Sequence, residues 1–88
     1  MDAPRVLLLG KPGCHLCDAA RVVVAEVCTA TGVDWTEVDI LTDPDLLALY
    51  GEYIPVVLVD GEPHDFWRVS AERLRADLTP PPPDGSPR

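Results

Sequence analysis

The chain reads as an α/β protein in the order β-α-β-α-β-β-α, with a mixed four-stranded sheet and helices on its faces. Three observations predict this. An unbroken apolar run, Arg5–Gly10, ends at a glycine, as a central strand covered on both faces does. A long stretch after it repeats apolar residues at helical spacing. Further on, "PVVLVDGEPHDFW" holds Asp60-Gly61 between two strand-like segments, the pair that a tight primed hairpin turn prefers. A strand, a helix and a second strand in succession call for a right-handed parallel crossover, whereas a hairpin is antiparallel, so the sheet must be mixed.

The elements follow in order. From Cys14 onward Leu16, Ala19, Ala20, Val23, Val24, Val27, Cys28 and Thr31 form one helix face, and Gly32 supplies the stop. Its valines lower helix propensity, so burial must hold it. "VDWTEVDI", Val33–Ile40, alternates as a strand but breaks phase at Thr36 and Glu37, which predicts a bulge. In "TDPDLLALYG", Asp43 is the N-cap, Pro44 the first helical residue, Asp45 a favourable charge for the dipole and Gly51 the stop, giving a short helix over Pro44–Tyr50. Pro63 keeps the last strand at the sheet edge. Ser70 caps a final helix, Ala71–Leu78, with Ala71, Leu74 and Leu78 toward the sheet. "TPPPPDGSPR" cannot continue a helix. The expected organisation is therefore one domain over residues 1–78 and a proline-rich, extended or disordered tail over 79–88, read as passive rather than as a ligand for proline-binding partners.

At 88 residues the chain suits a single domain, which buries about two thirds of the surface its unfolded chain exposes. Its hydrophobic fraction of 47% is that of a soluble domain, and no apolar run approaches the roughly 18 residues that span a bilayer. The net charge of −8, with seven scattered basic residues, argues against nucleic acid and anionic membranes as partners. Met1-Asp2 does not open like a secretory signal, so the expected location is cytoplasmic. In that reducing compartment, three cysteines are not a disulfide framework.

Cys14 and Cys17 carry the chemistry. Cys14 falls where the first strand ends and the long helix begins, at the free backbone N–H groups and positive dipole end that favour an anion such as a thiolate. Cys17 lies one turn further on, close enough to attack a mixed disulfide on Cys14. The competing reading is half of a zinc site, which needs about four ligands. Cys28 cannot complete it: eleven residues beyond Cys17 on one helix is about 16 Å at 1.5 Å per residue. On the apolar stripe, Cys28 reads as a small core residue. No metal site within one chain is expected.

The loop "GKPGCHLC" after an apolar strand, the "EVDI" strand and "YIPVVLVDG" opening the hairpin together resemble the glutaredoxin branch of the thioredoxin superfamily, over nearly the whole chain to Leu78. "KPGCHLCDAA" and "DPDLLALYGEYIPVVLVDG" are similar to small bacterial glutaredoxin-like proteins. The resemblance implies a thioredoxin-like fold in which Cys14 attacks and Cys17 resolves. It further implies that Ile54-Pro55 is a cis peptide facing the cysteines, with the Ile54 backbone pairing a bound thiol peptide. Lys11 matches the lysine that contacts the glutathione carboxylate, beside its plainer reading as a solvated side chain. Two departures stand out. His15 and Leu16 separate the thiols where glutaredoxins usually carry proline and tyrosine; His15 is read either as an imidazolium that steadies the Cys14 thiolate or as an exposed ring. After the hairpin the chain reads "HDFWRVSAE", so the Gly-Gly-x-Asp segment that holds the γ-glutamyl end of glutathione is missing as such. Trp35 and Trp67 read as packing or sheet-surface aromatics, with Trp67 alternatively lining the groove beside Pro55, and His64 and Asp65 as a solvated edge.

The resulting expectation is a monomeric thiol-disulfide oxidoreductase that takes protein or glutathione mixed disulfides, with no tightly bound cofactor. Glutathione or a thioredoxin-type reductase would regenerate it. Two other readings stay open: a module in which two chains share an iron-sulfur cluster or metal through Cys14 and Cys17, and a non-catalytic redox-regulated interaction domain.

Overall fold

The computed structural model describes residues 4–79; the proline-rich tail from residue 80 onward lies outside the described residues. Four strands and three helices follow the expected order: β1 (Val6–Gly10), α1 (His15–Thr31), β2 (Trp35–Asp39), α2 (Pro44–Tyr50), β3 (Val56–Val59), β4 (Glu62–Phe66) and α3 (Ala71–Leu78). A single 3₁₀ turn, Ile40–Thr42, intervenes between β2 and α2. The sheet order is β2-β1-β3-β4. β1 is central, parallel to β2 and antiparallel to β3, and β4 forms the edge beyond β3.

The capping predictions hold at atomic detail. Gly32 ends α1 in the left-handed conformation at φ 71, a region open to glycine at no steric cost. Asp43 Oδ1 accepts the N–H groups of Asp45 and Leu46, both at 3.1 Å. Ser70 Oγ accepts that of Arg73 at 3.2 Å. Asp60 and Gly61 both take positive φ, 53 and 84, as a primed turn requires.

The core lies on both faces of the central strand because its side chains alternate. Val6 and Leu8 join Ala20, Val24, Val27, Leu74 and other residues of α1 and α3 on one face. Leu9 joins Ile40, Val56 and Leu58 on the other, with Leu46 and Tyr50 of α2 packed against them. Cys28 sits in the first of these clusters, 1% exposed, as a small core residue.

Two expectations about the elements need correction. The predicted bulge in the second strand is absent: β1 and β2 pair in continuous register from Val6 opposite Trp35 to Gly10 opposite Asp39. The phase break at Thr36 and Glu37 has another cause. Trp35 packs on the α1 side of the sheet, and Glu37, on the same face two residues later, meets the charged Arg21 of α1 rather than its apolar stripe. The irregularity instead lies in the hairpin, where Val57 opposes Asp65 and Leu58 opposes Pro63, leaving His64 as the extra residue. Finally, Leu16 and Ala19, placed by periodicity on the buried stripe of α1, are exposed. Leu16 and Ala19 instead border a groove whose other side is Trp67, Arg68 and Val69.

Candidate active site

The turn between β1 and α1 builds the site. Gly13, at φ 78, swings the chain so that Cys14 becomes the N-cap of α1. A cysteine in this place does what a serine or aspartate commonly does: its Sγ accepts the backbone N–H of Cys17 at 3.2 Å. The thiol is half-buried, so it meets both solvent and the helix terminus. Cys17 is its opposite, fully buried at 0% exposure. Burial pushes the Cys17 thiol up to about 11, with the hydrogen bond to Cys14 adding to the rise and a backbone hydrogen bond from Lys11 working against it. Neither cysteine is in a disulfide here.

The other expected site residues lie in the loop before α1, at the start of α1 and at the entry to β3. The Ile54-Pro55 peptide bond is cis, and Pro55 is buried at the entry to β3. Lys11 is exposed and lines a cleft of about 280 Å³ together with Gly10, Pro12, Arg21, Glu37 and Asp39. His15 is the first residue of α1 and is exposed, without a hydrogen-bond partner among the described residues.

Trp67 has more structure around it than a packing aromatic needs. Its N–H donates to the carbonyl of Pro55 at 2.8 Å, and its indole Nε1–H to the carbonyl of Glu52 at 3.2 Å. Its backbone stands at φ 59, a left-handed conformation that a bulky residue adopts only when its surroundings impose it. In the segment where the Gly-Gly-x-Asp of glutaredoxins is missing, a tryptophan thus takes up a glycine-type conformation. The side chain, 53% exposed, neighbours Tyr53 with ring centroids 6.0 Å apart. Across a shallow groove of about 140 Å³ it faces Leu16, Ala19 and Val23 of α1. Together these residues form an apolar wall beside the dithiol. Periodicity does not foretell this, because Leu16 and Ala19 carry the same helical phase as the core residues that follow them.

His64 and Asp65 are not a solvated edge. Asp65 is 7% exposed, and its carboxylate accepts the N–H groups of Phe66 and Ser70 at 3.2 and 3.0 Å, with Arg73 Nη1 at 3.4 Å. His64 Nδ1 lies 3.2 Å from Asp77 Oδ2. Both side chains fasten β4 to α3, and the loop between them carries Trp67.

Comparison with known proteins agrees with this fold. The model of the Glutaredoxin-like domain (DUF836) matches residues 5–79. An uncharacterized protein of Mycobacterium tuberculosis is 37% identical over 83 residues, covering 89% of this chain and 86% of its own length. The X-ray structure of a structural-genomics target protein from X. campestris superposes with a TM-score of 0.67 at 30% identity, over 93% of this chain and 99% of its own. The crystal structure of a thioredoxin-like protein mutant superposes at 0.54 with 21% identity, over 85% and 97% of the two chains, a likeness of fold.

Proposed function

We infer that this chain, which belongs to the glutaredoxin-like domain family, is a thiol-disulfide oxidoreductase that reduces mixed disulfides of proteins or of glutathione. One observation carries the reading: a half-buried thiol at a helix N-cap is backed by a fully buried thiol one turn away, whose N–H it accepts at 3.2 Å. The first is placed to react with an incoming disulfide. The second holds its proton until that reaction has occurred.

In the reductive direction the Cys14 thiolate attacks one sulfur of the substrate disulfide and displaces the other as a thiolate, which takes a proton from solvent. Cys17 then loses its proton and attacks the Cys14 sulfur. The Cys14–Cys17 disulfide forms, the second substrate thiolate leaves, and two electrons have passed to the substrate. Glutathione or a thioredoxin-type reductase returns them. The Ile54 backbone and the apolar wall of Trp67 and Leu16 are the surfaces that would hold a substrate chain beside Cys14, and Lys11 is the cation for a substrate carboxylate. The complete burial of Cys17 favours a monomeric enzyme over a cluster shared between two chains, since a bridging ligand must reach the partner.

A redox titration of the purified protein in glutathione buffers tests the reading, with disulfide and adduct followed by mass. A reversible two-electron couple between about −270 and −120 mV, together with a glutathione adduct trapped on Cys14 in Cys17→Ser, is expected. A couple without the adduct would redirect the search to a thioredoxin-like donor. No reversible couple in the wild-type chain, or one that persists in Cys14→Ser, would overturn the assignment.

A further inference from the structure

Behind the dithiol, Gly10 lets the end of β1 pack directly against Cys17. A methyl group on Gly10 would stand 3.0 Å from Cys17 Sγ and 3.9 Å from Glu37 Oε2, so thiol and carboxylate approach each other across a single glycine. Both oxygens of Glu37 are engaged by Arg21, at 2.6 Å from Nε and 2.7 Å from Nη2. Arg21 also reaches Asp18 Oδ1 at 2.9 Å. This cluster forms one wall of the 280 Å³ cleft, on the side of β2, separate from the Trp67 groove.

We propose that the Arg21–Glu37 ion pair regulates Cys17: the carboxylate opposes a second negative charge on the buried sulfur, Arg21 moderates that opposition, and together they set the pH at which Cys17 resolves a mixed disulfide. The proposal rests on the oxidoreductase reading and names what controls its second step. Glu37 touches no substrate and is a positioning residue acting through Cys17. A bidentate pair commits both carboxylate oxygens to the guanidinium, so Glu37 acts by its field and not as a proton acceptor. The direction agrees with the rise of the Cys17 thiol, to which Glu37 contributes after burial and Cys14. The charged and titratable groups around Cys17 are Lys11 from the preceding loop, Cys14, Asp18 and Arg21 from α1, and Glu37 and Asp39 from β2. Strand β3, Val56–Val59, brings none.

The test uses 5,5′-dithiobis(2-nitrobenzoate) on the reduced full chain carrying Cys28→Ala, followed by stopped flow across pH. Cys14 displaces one thionitrobenzoate and forms a mixed disulfide with the other half of the reagent. Cys17 then gives up its proton to solvent, attacks the Cys14 sulfur and releases the second thionitrobenzoate, so the second phase reports Cys17 alone. Glu37→Gln is expected to speed that phase about threefold at pH 7 and to lower its midpoint by about half a unit. Arg21→Gln should shift the midpoint upward, and Arg21→Lys, which keeps the charge, should restore it. If Glu37→Gln fails to fold, the Arg21 pair decides. An unmoved second phase in the folded variants overturns the proposal, as does a slower one in Glu37→Gln, which would make Glu37 a proton acceptor. A wild-type chain with no second phase overturns the oxidoreductase reading and the proposal with it.

Discussion

At the scale of the residue, Cys14 and Cys17 share a motif but not an environment, and burial is what separates them. A thiol at its ordinary value of 9.0 titrates two units below the folded value of Cys17, about 11. Between these values an unfolded chain has released the proton that the native chain still holds, so stability falls as pH rises. The contribution is complete below about pH 9 and gone above about pH 11. Burial raises the Cys28 thiol as well, in the same direction. The reduced protein should therefore lose on the order of 1–3 kcal/mol across this window through Cys17, and Cys17→Ala should flatten the decline. Urea melts at half-unit pH intervals under a non-thiol reductant measure it; an unchanged slope in Cys17→Ala would mean that Cys17 is not the group responsible. The motif spacing announces both cysteines, but nothing in the spacing says that Cys17 has no exposed surface. Glu37 is harder still to foresee, since it joins the site only through the register that sets it near Gly10 in the neighbouring strand.

Elements meet at the site through their ends. Helix α1 begins with a cysteine cap, and its valines are held by core contacts, as the low propensity of that run demands. The join between β4 and α3 is made by Asp65, whose carboxylate accepts two backbone N–H groups and the Arg73 guanidinium. Removing a buried acceptor strands its donors, so Asp65→Ala should cost about 2–3 kcal/mol in a denaturation experiment. It should also speed hydrogen exchange at the amides of Trp67 and Ser70 more than at those of β1. Uniform protection after the substitution would place the role of Asp65 elsewhere. An aspartate after Pro63 and His64 in an edge strand looks solvated in the sequence because burial there comes from α3 folding back over it.

For the whole molecule, the central strand divides the core unequally. Leu8 is fully buried in the larger cluster under α1 and α3, whereas Leu7 lies partly buried on the α2 face. Leu8→Ala should cost about 2–5 kcal/mol, and Leu7→Ala at least about 1 kcal/mol less because its side chain already keeps some contact with water. Equal losses in urea unfolding would show that the two faces carry equal weight. The α2 face is thinner because that helix is short and has no fully buried residue of its own, with Leu47 and Leu49 exposed. Among the described residues no helix is long and apolar enough to cross a membrane.

The sequence by itself determined the order of the elements, their caps, the hairpin turn and the position of the dithiol at the start of α1. Each of these rests on local chemistry: apolar spacing, a capping side chain, a turn that needs positive φ, two cysteines one helical turn apart. Tertiary structure alone decided what those elements face. It buried Cys17 and left Cys14 half open, uncovered Leu16 and Ala19, and set Trp67 in a left-handed conformation beside Pro55. It also turned an apparent bulge at Glu37 into a charged wall near Cys17. Such outcomes depend on strand register and on where a helix overruns its sheet, which are relations between residues far apart in the chain, and periodicity within one segment does not record them.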